Sequence, residues 1–129
     1  MIHRIYSTLP TFKHLELRTG LNILLARKEQ GATSRQTRNR AGKTSLIETV
    51  HFLTGADAGP RSLFRTEALR DESFGMEFDL GGERVSVERG GAKSKLQVSC
   101  GGSGREMRRI TTKEWVEELG ERMFGLSAG

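Results

Sequence analysis

The sequence predicts an α/β domain: a mixed sheet that contains an antiparallel β-meander, with flanking helices. Three observations predict it. A short apolar run, Leu21-Asn22-Ile23-Leu24-Leu25-Ala26, precedes a helix-spaced stripe of Leu46, Ile47, Val50 and Leu53. Met76, Phe78 and Leu80 alternate with Glu77 and Asp79, and Val85 and Val87 alternate on the far side of Gly81-Gly82, which is the period of an antiparallel hairpin. Thr111 and Glu114 have the spacing of a capping box ahead of a third stripe, Trp115, Leu119 and Met123.

Size and composition set the limits. A chain of 129 residues with 35% hydrophobic residues, 16 glycines and a mean hydropathy of −0.49 supports one domain with a modest core. The formal charge of +5 and sequence pI of about 9.9 favour polyanionic partners without choosing between nucleotide phosphates and nucleic acid. Cys100 is the single cysteine, so no internal disulfide forms, and no His/Cys cluster has zinc spacing. No stretch approaches the roughly 18 apolar residues of a membrane span, and the first residues lack the apolar core of a signal peptide. A soluble cytoplasmic protein with no membrane partner is the expectation.

Taken in order, Ile2, Ile5 and Tyr6 begin a first strand, and residues 12–17 form a second, with Phe12, Leu15 and Leu17 apolar among Lys13, His14 and Glu16. Pro10 separates them. Gly20 turns the chain into residues 21–26, whose length suits a central strand buried on both faces of the sheet. Residues 27–40 lose all apolar periodicity and read as a long exposed loop, and loops of that length are uncommon without a function. Residues 43–53 form a helix with Gly55 just past its end, residues 56–60 a breaker-rich loop, and residues 63–70 a short helix. After the hairpin, Gly90-Gly91 and then Leu96, Val98 and Cys100 give the meander a third strand. The Gly101-Gly102-Ser103-Gly104 loop leads through Met107 and Ile110 to the last helix.

The chemistry concentrates in Thr37-Arg38-Asn39-Arg40-Ala41-Gly42-Lys43-Thr44-Ser45, where a Gly-Lys-Thr enters a helix behind an apolar run, as P-loops do. Gly42 lets the backbone approach phosphate without a Cβ in the way, and the free amides of the first helical turn point at the anion with the helix dipole behind them. Lys43 reaches the β- and γ-phosphates of ATP in such a motif, and the Thr44 hydroxyl ligates Mg²⁺. By average composition a Gly-Lys-Ser/Thr triplet arises by chance in about one chain in fifteen of this length, so its placement carries more weight than its occurrence. The full pattern puts a glycine where this chain has Thr37.

Phe12-Lys13-His14, Gly20-Leu21-Asn22-Ile23-Leu24 and Asn39-Arg40-Ala41-Gly42-Lys43-Thr44-Ser45-Leu46-Ile47-Glu48, in that order, resemble the N-terminal lobe of SMC-like ABC ATPases, the SMC, RecN and RecF type. The likeness covers about the first 55 residues. Phe74 through Val87 is similar to the antiparallel hairpin of the same lobe. Asn39, Ala41, Gly42, Lys43 and Thr44 match the family's P-loop core, while Arg40 replaces a glycine; if that position needs a positive φ, arginine costs about 1–2 kcal/mol there. The insertion at residues 27–38 is a second departure, and residues 31–39 resemble a bacterial branch of coiled-coil ATPases with members in anti-phage or anti-plasmid systems.

The resemblance implies a P-loop NTPase fold, the ABC-type N-terminal lobe, spanning residues 1–129. It implies a nucleotide site of Asn39, Arg40, Ala41, Gly42, Lys43, Thr44 and Ser45, with Thr44 on Mg²⁺ and Lys13 and His14 in a turn that touches the nucleotide. It implies as partners the C-terminal half of the same head, a second head in a homodimer, DNA and accessory subunits. The family's signature motif and catalytic acidic pair do not occur in this chain, so no catalytic residue is assigned and ATPase activity is expected only of the complete head.

Two other functions compete. One is a nucleotide-dependent assembly module that binds ATP without hydrolysing it. The other is a small basic nucleic-acid-binding domain using Arg27, Lys28, Arg35, Arg38, Arg40 and Lys43, against which stands the lack of interleaved aromatics to stack on bases. Arg105, Arg108, Arg109 and Lys113 make a second basic cluster beside the last helix, and Trp115, Leu119, Met123 and Phe124 form a stripe that reads first as core.

Overall fold

A computed structural model describes residues 1–23, 43–57, 62–92, 95–100 and 107–125, without the side chains of residues 43–45. Along the chain run β1 (Ile2–Ser7), β2 (Leu15–Glu16), α1 (Lys43–Leu53), a 3-10 turn (Leu63–Arg65), β3 (Ser73–Leu80), β4 (Glu83–Gly90), β5 (Lys95–Cys100), β6 (Arg108–Thr111) and α2 (Thr112–Phe124). The strands form one six-stranded sheet in the order β2-β1-β3-β4-β5-β6.

Every pairing in that sheet is antiparallel, which corrects the expected mixed sheet among the described residues. The mixed reading depended on a central strand at residues 21–26. Residues 21–23 belong to no strand, and Leu21 and Ile23 are 88% and 71% exposed; residues 24–26 lie outside the described residues. A short apolar run reports that a segment is to be covered, not by what, and residues 21–23 are not part of the described sheet.

The meander forms as its alternation requires. In the β3–β4 hairpin Leu80 pairs with Glu83 across Gly81 and Gly82, whose φ values of 59° and 78° suit the two-residue turn that matches strand twist. The register sets Ile5, Met76, Val87 and Val98 side by side across four strands on one face, and these four are almost wholly buried. Tyr6, Gly75, Glu88, Gln97 and Arg109 occupy the next row, on the opposite face. β6 is a strand the residue pattern does not announce, because Arg-Arg-Ile-Thr holds one apolar residue; it forms by pairing along β5, with Ile110 opposite Leu96.

Both helices lie on the apolar face, α1 against β3 and β4 and α2 against β5 and β6. Phe52 and Leu53 of α1, Trp115 and Leu119 of α2, and Phe64 of the 3-10 turn complete the core. Phe52 stacks on Phe64 with centroids 4.0 Å apart, and both meet the Phe74 ring edge to face. Two expected faces need correction: Ile47 of α1 is 57% exposed and its inward place is taken by Thr49, while Met123 of α2 is 58% exposed, so the α2 stripe ends at Leu119. The expected strand at residues 12–17 shortens to Leu15–Glu16, since Phe12 turns inward against Phe74 with centroids 6.0 Å apart. The helix expected over residues 63–70 is limited to the 3-10 turn.

Candidate functional site

The helix that begins with Lys43, Thr44 and Ser45 is the element on which a phosphate site depends. It runs eleven residues and has no acidic side chain in its first turn to occupy the positive end of its dipole. Burial is concentrated toward its C-terminal end: Leu46 is half-buried, Ile47 and Glu48 are exposed, and Phe52 and Leu53 are 3% and 0% exposed. The last turn therefore lies in the core.

Three devices fix the buried end. The Gly55 and Ala56 amides donate to the carbonyls of Phe52 and His51 at 3.3 and 2.9 Å, with Gly55 at φ 100°, the pattern of a Schellman cap. The Trp115 indole, fully buried on α2, donates from Nε1 to the Leu53 carbonyl at 2.8 Å. Arg89 of β4, 4% exposed, donates from Nη1 to the carbonyls of Phe52 and Ala56 at 2.8 and 2.9 Å, and its guanidinium lies 4.1 Å from the Phe52 ring centroid. Burial pushes the Arg89 pKa down, with Asp57 opposing that shift and Arg65 adding to it. A positive charge at this end complements the helix dipole.

The predicted phosphate-binding residues stand as follows. Lys43, Thr44 and Ser45 form the opening backbone of α1, with their side chains outside the description, and Asn39, Arg40, Ala41 and Gly42 lie outside the described residues. The helix has no acid in its first turn, and the sequence places a lysine and two hydroxyl residues there. Lys13 and His14 are exposed. His14 Nδ1 lies 3.2 Å from Arg4 Nη2, and its ring is 6.4 Å from those of Tyr6 and Phe12. No described contact joins either residue to α1.

The second basic cluster divides. Arg108 turns to the helix side and binds Glu118 at 2.8 Å, while its neighbour Arg109 faces the opposite side beside Gln97, as alternation along β6 demands. The hydrogen bond to Glu118 raises the Arg108 pKa further. Lys113 is exposed on α2, and Arg105 lies outside the described residues. Among the described residues no group of three or more His, Cys, Asp and Glu is placed to hold a metal, and no helix is long and apolar enough to cross a membrane.

Sequence reasoning passed over Arg89 and the role of the Trp115 indole. The signal for Arg89 was present: it continues the inward series Val85, Val87 on β4, where a charge has to find buried acceptors. No protein-family model, curated protein or solved structure matches this chain.

Proposed function

We propose that this chain is the ATP- and Mg²⁺-binding lobe of an SMC-like ATPase head, which acts on DNA through nucleotide-dependent pairing of heads, in genome maintenance or defence against foreign DNA. The observation that supports the reading is that α1 opens with Lys43 and Thr44, directly after Gly42 in the sequence, while its last turn is anchored in the core. The amides of that first turn cradle the phosphates, Lys43 neutralises the β- and γ-phosphate charge, and the Thr44 hydroxyl holds Mg²⁺. The metal, when bound, offsets phosphate charge that one lysine cannot balance. Asn39, Arg40 and Ala41 complete the loop, and Ser45 follows in the first turn.

Apolar residues left uncovered among the described residues support the incomplete-lobe reading. Leu21, Ile23 and Phe124 are 88%, 71% and 72% exposed, and Ile47 and Met123 are more than half exposed. On this reading the rest of the head and a second head cover them. ATP hydrolysis belongs to the assembled head.

Calorimetric titration with Mg-ATP tests the reading. Wild-type protein binds, and Lys43→Ala loses at least tenfold in affinity. Equal affinity of the two would remove the P-loop from the account, and DNA binding indifferent to ATP would favour a nucleic-acid-binding module instead.

A further inference from the structure

We draw no further inference here: the strongest candidate, the small polar cavity lined by Ser73, Glu88, Lys95, Gln97 and Arg109 on the sheet face away from the helices, carries nothing, because Glu88 opposes the exposed Lys95 and Arg109 in charge and nothing in the structure shows what would bind there.

Discussion

At the scale of single residues, Trp115 shows how much can rest on one polar atom in a core. Its ring fills space beside Phe78, 6.3 Å between centroids, and its Nε1 satisfies the Leu53 carbonyl. Trp115→Phe keeps most of the apolar contact and leaves that carbonyl without its donor, so urea unfolding should show a loss of about 1–2 kcal/mol; wild-type stability would mean that the indole N–H is dispensable. A second residue-scale prediction concerns acid. His3, hydrogen-bonded to Asp79 at 2.9 Å, is the main cause holding that carboxyl below its usual range, with the N-terminus and Arg84 adding to it, and the Thr111 amide and hydroxyl do the same for Glu114. Folded-state values below the unfolded ones mean that this stability is complete above about pH 4–5 and is lost as pH falls through the lowered values. Asp79→Asn and Glu114→Gln should flatten the acid limb of a stability profile, and an unaltered limb in the double variant would refute the assignment. Of the candidate site, Gly42-Lys43-Thr44 is proposed from residue type and spacing alone, whereas a buried arginine such as Arg89 reads as surface until the strand's inward parity is known.

Elements were legible where local chemistry decides them. The β3–β4 hairpin follows from period-two alternation around Gly81-Gly82, and α2 begins where Thr111 accepts from the Glu114 amide at 3.2 Å while Glu114 accepts from the Thr111 amide at 2.7 Å. Thr111→Ala should cost about 1 kcal/mol, readable as an earlier thermal transition. Elements that depend on neighbours were not legible. β6 exists because β5 offers it an edge, and residues 21–23 are not a strand because no described strand pairs with them. The face of α1 was misread at Ile47 because Leu46, Ile47 and Val50 fit two overlapping helical stripes, and only the sheet below selects the one through Thr49 and Phe52. Gly91 packs closely under the segment that carries the 3-10 turn. A Cβ there would meet the backbone carbonyls of Phe64 and Leu69, which no rotamer change can relieve, so Gly91→Ala should destabilise by about 2–3 kcal/mol in chemical denaturation. A neutral result would show that the 3-10 turn can shift freely.

Across the whole molecule, the sheet gives one face to two helices, and α1, which opens with Lys43-Thr44-Ser45, lies on that covered face. Polar contacts also join α2 to the sheet: Arg108 of β6 bridges to Glu118, and Arg122 donates to the Leu80 carbonyl at 3.2 Å and to Glu83 at 3.1 Å near the hairpin tip and to Cys100 Sγ of β5 at 3.6 Å. The uncovered apolar residues on α1, α2 and residues 21–23 predict concentration-dependent self-association of the isolated chain, which sedimentation velocity would register; Phe124→Asp should reduce it. A chain that stays monomeric at every concentration would argue against those residues as a shared surface. If phosphate docks at the first turn of α1, two-dimensional amide NMR during titration with Mg-ATP will register it, because each backbone N–H reports its own surroundings. The largest shifts should fall on Gly42, Lys43, Thr44 and Ser45 and diminish along the helix, leaving Tyr6 and Gln97 on the opposite sheet face unmoved. Shifts centred on that opposite face, or none at α1 while ATP binds elsewhere, would contradict it.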